Sequence, residues 1–462
     1  MFLRGARLEL SEKTLIRDLT QGNPMKQLLS FSFPFILANL LQQAYNMADM
    51  VIVGQFVGSA GLAAASAGGE LATLFLFFAF GFTSSGQIII SQHIGAGERD
   101  KVGSTIGTLM SFIFLCGVVF TVFALFACDW MISLINVPQE AVRYAHDYCF
   151  VYYIGMIPVF GYNVVSAILR GIGDSRHPFI FIAIAAVTNI VLDLLFVGPL
   201  GMACFGAALA TVISQSLSFA IAMVFLYRHR ADLGFDFGWK RFRMDKKELQ
   251  AMVRLGLPLS IQSVAVSISM LVIARFINAY GVVASAATAV GNKLTLVATI
   301  CTAAMMTAGN SVIAQNFAAR KLDRVAKTIG SMLIINMGFC ALLALIFALF
   351  PEQVFSLFDQ DPEVLAMSHP YVPICALNML GFATRATAMA FINGIGNSRL
   401  SFIAGFIDGI VARIGLSLLF GIFLGMGVQG FWLGSSLAGL VIGVIGAFYY
   451  ASGKWKTRKL LV

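Results

Sequence analysis

Hydrophobic residues run along this chain in long blocks, separated by short polar stretches. Twelve such blocks predict membrane-spanning helices at about 27–53, 61–91, 104–129, 143–169, 178–198, 204–227, 251–277, 283–313, 326–350, 364–392, 401–424 and 428–451. Several exceed the roughly 20 residues needed to cross a bilayer, and tilt absorbs the excess. The blocks lack the ten-residue alternation of a membrane barrel, so the spans are helical. Met1 to Asn23 is polar and mixed in charge. It lacks the apolar core of a signal peptide and reads as a tail, with an amphipathic helix at the interface.

Composition agrees. Of 462 residues 59% are hydrophobic and only 11% charged, against about 25% charged in a soluble domain. A water-soluble enzyme and a disordered chain are both excluded. The 44 glycines suit close helix packing in a membrane. The seven cysteines are scattered singly, with no CxxC and no Cys/His cluster, so neither a metal site nor a disulfide framework is expected.

The net charge of +9 would suit nucleic acid if it lay on one face. Instead, placing both ends in the cytoplasm puts 26 of the 31 Lys and Arg in the tails, the inner loops and the inner ends of spans. The charge is an orientation label for a multi-pass protein of the cell membrane, and no nucleic acid partner is expected.

The chain is a duplication. Gly171–Arg176 (GIGDSR) returns as Gly394–Arg399 (GIGNSR), 223 positions on. Gln92, Asp100, Thr105, Ile106 and Gly107 return as Gln315, Asp323, Thr328, Ile329 and Gly330 at the same offset. Pro34 and Pro258 match at 224. Six spans per half make the repeat parallel, related by an axis along the membrane normal. The expected fold is all-α integral membrane, with twelve transmembrane helices in two six-helix lobes. The expected units are a tail at 1–26, lobes at 27–228 and 251–451, a cytoplasmic linker at 229–250 and a second tail at 452–462. Folds of this kind bind substrate between the halves and work by alternating access. No GxxxxGK[ST] is present, which points away from ATP and toward an ion gradient.

Acids inside spans are Asp49, Glu70, Asp193 and Asp408. Intramembrane charge is costly and by default functional. Asn39, Gln42, Asn46 and Asp49 are spaced 3, 4 and 3 apart, so they share a helix face that must meet protein or water. Asn189 and Asp193 also share a face, and Thr211 lies at similar depth. Asn163, after an expected kink at Pro158, lies deeper. Two carboxylates, an amide and a hydroxyl could hold Na⁺, or a proton if one acid raises the affinity of the other. The structural alternative is a hydrogen-bond network tying helices together. It suits Asn163 and Thr211 as well as function does, but not two acids. At the repeat offset the cluster falls on Val272, Ala386, Ala412 and Leu416, so the coupling site belongs to the first half alone. Glu70 falls on Lys293; the two either pair across the cleft or line separate cavities, where Glu70 would attract a cationic substrate. Asp408, Arg385 and Arg413 are expected to neutralise one another.

These residues carry a resemblance to the multidrug and toxic compound extrusion (MATE) transporters over nearly the whole chain. The matching features are Pro34 with Asp49 and Gly54, the GLAAAS run at Gly61–Ser66, Gln92 with Gly95-Ala96-Gly97, Leu169-Arg170-Gly171 with Gly173-Asp174, and Asn189 with Asp193. The resemblance implies a V-shaped antiporter exporting organic cations and amphipathic compounds for H⁺ or Na⁺, with no other cofactor. It implies a first-lobe cation site at the positions of Asp49, Asn163, Asn189, Asp193 and Thr211. Gln42, Asn46, Glu70, Lys293 and Gln262 are the expected cleft residues. Span ten has no acid and span seven offers only Gln262 and serines, so the chain departs from branches with a second-lobe site and resembles the DinF-like branch. Small molecules and membrane lipids are the expected partners, and the chain is expected to be a monomer. Alternatives are a lipid-linked precursor flippase, which would favour a cationic cavity, and a membrane-embedded enzyme, for which five isolated His give no support. A channel is a third, against which the duplication argues.

Overall fold

The computed structural model describes residues 15–135, 137–238 and 242–461. Most of the expected tail helix, and Lys240 and Arg241 of the linker, lie outside them. The described residues are helical, with no strand among them.

Twelve spans follow in order. They are α1 (Pro24–Val57), α2 (Ser59–Ala96), α3 (Arg99–Leu134), α4 (Gln139–Ile154 with Met156–Gly171), α5 (Arg176–Val197) and α6 (Ala203–Arg228), then α7 (Lys246–Asn278), α8 (Val282–Ala318), α9 (Leu322–Leu349), α10 (Ser368–Gly394), α11 (Ser398–Phe423) and α12 (Gly427–Ala451). Ten of these helices are long and apolar enough to cross a membrane, and the two pieces of α4 make an eleventh span. α1 has 34 residues, and its polar stripe is what lowers its hydropathy.

Local chemistry sets the boundaries. The Asn23 side chain caps α1, accepting from the Met25 and Lys26 amides. Asp245 caps α7 in the same way. α4 bends by 52° at Gly155, not at Pro158 as expected. Proline lacks an N–H and its ring presses on the carbonyl four residues back, so its kink appears upstream. Val159 N–H reaches Gly155 O at a long 3.4 Å. A methyl group at Gly155 would collide with Val212 of α6, so the bend also needs glycine for close packing.

The repeated hexapeptides are turns that only glycine makes comfortably. Gly173 and Gly396 sit at the same place in their lobes with φ of 91° and 73°. Each turn receives a chain terminus. Arg17 and Leu19 pack on Gly173, while Leu461 packs on Gly396.

The lobes meet along α2 with α7 and α8, and along α1 with α8 and α9. The contact lies on the side of the bundle that carries both tails. Gly81 of α2 is against the Ser260 backbone of α7, and Gly95 is against the Gln315 carbonyl of α8. Ser260 Oγ donates to Phe78 O at 2.9 Å. Gln87 Nε2 donates to Thr307 O at 3.0 Å and Ser311 Oγ at 2.9 Å. Buried His93 faces Glu248 of α7 through Nε2 at 3.1 Å and Glu98 through Nδ1 at 3.0 Å. Thr105 Oγ1 donates to the other Glu248 oxygen at 2.9 Å. Hydrogen bonds from Lys101 and His93 hold the Glu98 carboxyl below the usual carboxylate range.

Candidate functional site

In the half of the first lobe remote from the tails, α1, α4, α5 and α6 bring acids together. Asp193 is fully buried and Asn189 is nearly so. Asn189 Nδ2 donates to Thr211 Oγ1 at 3.4 Å, and Thr211 Oγ1 donates to Ala207 O at 3.1 Å. The Thr211 hydroxyl is thus turned away from the acids, while the Asn189 amide stays close enough to Asp193 to favour its charge weakly. Neither Asp193 oxygen meets a donor at hydrogen-bond geometry, nor do Asn189 Oδ1 and the buried Asp49 Oδ1. Asp49, half-buried on α1, lies within range of the Asp193 charge.

This is an acceptor-rich, donor-poor pocket. Two carboxylates with three buried oxygens lacking a donor at hydrogen-bond geometry are unfavourable as they stand. A cation or a proton removes that penalty by supplying positive charge or an O–H. Among the described residues no group of three or more His, Cys, Asp and Glu could hold a metal ion, so a cation here would need the amide and hydroxyl oxygens beside the two acids.

The sequence does not reveal Tyr148. Its buried phenol on α4 stands within electrostatic reach of both Asp49 and Asp193. Its ring packs against Gly68 of α2, where any Cβ would overlap it. A tyrosine in an apolar helix reads as packing, and nothing in its spacing marks it out.

The remaining candidates separate. Asn163 spends its amide N–H on Val159 O of its own helix at 2.9 Å. Gln42 and Asn46 are exposed on α1. Exposed Phe33, Leu40 and Met47 recur every seven residues on the opposite side of that helix, and a purely apolar stripe of this kind suits lipid. Glu70 and Lys293 are both exposed in the splayed half of the interface and form no ion pair. The Lys293 ammonium instead stands 5.5 Å from the Phe358 ring centroid. Gln262 is buried between α7 and α11, against Gly405.

The three remaining charges neutralise as expected. Arg385 Nε donates to Asp408 Oδ2 at 2.6 Å, and Arg413 Nη2 donates to Oδ1 at 3.0 Å. Asp408→Asn leaves two guanidiniums without their carboxylate, and removing one partner of a buried ion pair costs about 3–5 kcal/mol. The variant is expected to melt well below the parent in detergent, as read by a thermal unfolding curve.

The same arrangement of helices recurs elsewhere. A solved structure described as the outward-facing conformation of a multidrug resistance MATE family transporter of the MOP superfamily superposes with a TM-score of 0.88 at 23% identity, covering 98% of this chain and all of the other. Two relatives from Bacillus subtilis (strain 168) span nearly the full length. "Probable multidrug resistance protein YoeA" is 27% identical over 98% of this chain and 99% of its own, and "Probable multidrug resistance protein YpnP" is 28% identical over 96% and 98%. The MatE family model matches twice, at residues 34–195 and 258–419. Each match opens at a repeat-related proline, Pro34 or Pro258, and together they take in most of both lobes, so the duplication visible in the sequence is the family's own and the chain belongs to the MatE family of transporters.

Proposed function

We propose that this transporter is a multidrug antiporter of the cell membrane, exporting organic cations and amphipathic compounds in exchange for H⁺ or Na⁺. The observation that carries the reading is Asp193, fully buried with both oxygens lacking a donor, beside Asp49 and the donor-free Asn189 oxygen. Asp49, Asn189, Asp193 and Thr211 hold the coupling ion, with Asn163 at the deeper end. Gln42, Asn46, Glu70 and Lys293 face the substrate path, where the acid favours cations. Residues 27–228 and 251–451 move as lobes, and the chain works as a monomer. The tail-bearing side is read as cytoplasmic, because the sequence assigns 26 of the 31 basic residues to the tails, the inner loops and the span ends beside them.

With the tail-side seam closed, the cleft is open to the outside. Ion and drug bind antagonistically. Entry of the ion between Asp49 and Asp193 removes their repulsion, lets α1 repack and weakens drug binding. Return of the ion to the cytoplasm restores the charge and the affinity.

The test is efflux of a fluorescent organic cation from proteoliposomes under an imposed pH gradient or an imposed Na⁺ gradient. One gradient alone is expected to drive efflux, collapsing with the matching ionophore. Equal leakage with no gradient at all would sink the antiport reading.

A further inference from the structure

The second lobe has an interior of opposite polarity. Asp408 carries one negative charge and is fully buried, yet two guanidiniums bond it. One arginine is enough to neutralise it, so a positive charge is left over. Asp408 is the sole acid deep within the spans of this lobe, as Glu248 of α7 lies at its tail-side end against His93 and Thr105 and Asp323 lies in the first turn of α9. The equivalent positions in the first lobe are Tyr162, Ala185 and Ile190. The cluster is therefore particular to the second lobe.

The backbone is deformed where the second arginine enters. Ile407–Ala412 is a π-helical turn. In an α-helix, residues five apart point well away from each other. The i→i+5 bonding of a π-turn brings them to one side, and such turns concentrate at functional sites. Asp408 and Arg413 are five apart and bonded. A chain that needed only to satisfy Asp408 had Arg385 for the task.

Both arginines keep unused donors. Arg413 has a side chain only 5% exposed, gives Nη1 to Ser435 Oγ at 3.0 Å, and leaves its buried Nε with no partner. Arg385 uses Nε alone and is 28% exposed, with both terminal amino groups unbonded among the described residues. It is the accessible member. α7 and α12 pack on the Asp408 turn and bury the acid, so access to the cluster is through the partly exposed Arg385 of α10. A planar guanidinium with two free parallel N–H groups matches a carboxylate in bidentate geometry.

We propose that Arg385 and Arg413, held around Asp408, form an anion subsite in the second lobe that takes the carboxylate of an amphipathic substrate. It rests on the reading of the chain as an exporter of amphipathic compounds and extends it to substrates bearing an acid group. Asp408 is the positioning residue: it orients both guanidiniums and does not touch the ligand.

The test is equilibrium binding of radiolabelled 1-naphthoate and its methyl ester to the detergent-purified full-length protein. The acid is expected to bind saturably and the ester at least tenfold more weakly. Arg385→Gln is expected to remove that preference while the protein stays folded and melts above Asp408→Asn, since Arg413 still neutralises Asp408. Arg385→Lys is expected to restore part of it, because the charge returns without the fork. Binding of acid and ester alike, or unchanged preference in Arg385→Gln, would overturn the subsite and leave the cluster as a brace. Protection by chloride against thermal unfolding, with no naphthoate binding, would also overturn it in favour of an inorganic ion. None of these readouts involves transport, so a failure of gradient-driven efflux is a separate result.

Discussion

Asp49→Asn and Asp193→Asn are each expected to abolish gradient-driven efflux while the purified proteins melt at the parent temperature or above it. The two halves of this result come from one fact. Both carboxylates are desolvated, and neither Asp193 oxygen nor the buried Asp49 oxygen has a donor. An asparagine removes a charge that burial penalises more than the nearby Asn189 amide supports, so folding loses little. The coupling ion loses the charge it neutralises. An antiporter requires that ion and drug change each other's affinity, typically by 1–3 kcal/mol or about 5–150-fold. Without that difference the gradient does no work on the drug, and efflux falls to passive leak. Drug binding itself should weaken, because the neutral side chain carries the charge balance of the ion-bound site, the state in which the drug is released. Fluorescent cation efflux from proteoliposomes, measured beside a melting curve, reads both halves. Parental efflux from Asp49→Asn would remove this residue from the coupling site. A large fall in melting temperature would show instead that the acids hold the lobe together, the behaviour expected of Asp408→Asn.

The contrast between Asp193 and Asp408 also shows how far sequence carries. The membrane penalises every charge, so the acids and arginines within spans were few enough to list, and their repeat offsets separated the lobes. The spans and the duplication were legible for the same reason: a bilayer forces long apolar blocks, and a parallel repeat copies its loops. Other features were not. Repeat equivalence assigned Glu70 and Lys293 to matching places, but matching places in two splayed lobes need not touch, and these do not. Pro158 marked a bend, yet its steric effect falls three residues earlier at Gly155, where α6 also demands a glycine. The π-turn at Ile407–Ala412 leaves no local signature, because its register is set by what Asp408 and Arg413 must reach. Tyr148 was hidden because one tyrosine in a greasy helix looks like any other. The tails were legible as charge, not as contacts.

Those contacts carry the second large expected effect. The two ends of the chain reach equivalent places on opposite lobes. Leu19 N–H donates to Gln315 Oε1 at 2.9 Å, and Gln315 Nε2 returns a bond to Arg17 O at 3.3 Å. Leu461 N–H donates to Gln92 Oε1 at 3.3 Å, and Gln92 Nε2 bonds Gly394 O at 3.1 Å. Gln92 and Gln315 are repeat mates. Each tail also touches the other lobe: Arg17 N–H bonds Ile172 O at 2.8 Å beside Gly173, and Arg458 Nη2 bonds Gly396 O at 3.0 Å. The ends therefore clasp the seam twice, once on each side of the pseudo-twofold axis. A hydrogen bond contributes about 0.5–1.5 kcal/mol net, so the four glutamine bonds together hold the seam by about 2–6 kcal/mol. That is enough to shift the population of a state open on the tail side by tenfold or more, since 1.4 kcal/mol is a factor of ten. The double variant Gln92→Leu with Gln315→Leu is expected to open this side. Spin labels at Arg176 and Arg399, exposed repeat mates on the two lobes, would report it in a background lacking the native cysteines. The parent should give one short distance, and the double variant a second, longer one whose share grows. Removal of residues 1–23 should give the same longer distance at a smaller share, because only one of the two clasps is lost. A distribution unchanged in both proteins would mean that helix packing at Gly81 and Gly95 closes the seam without help from the chain ends.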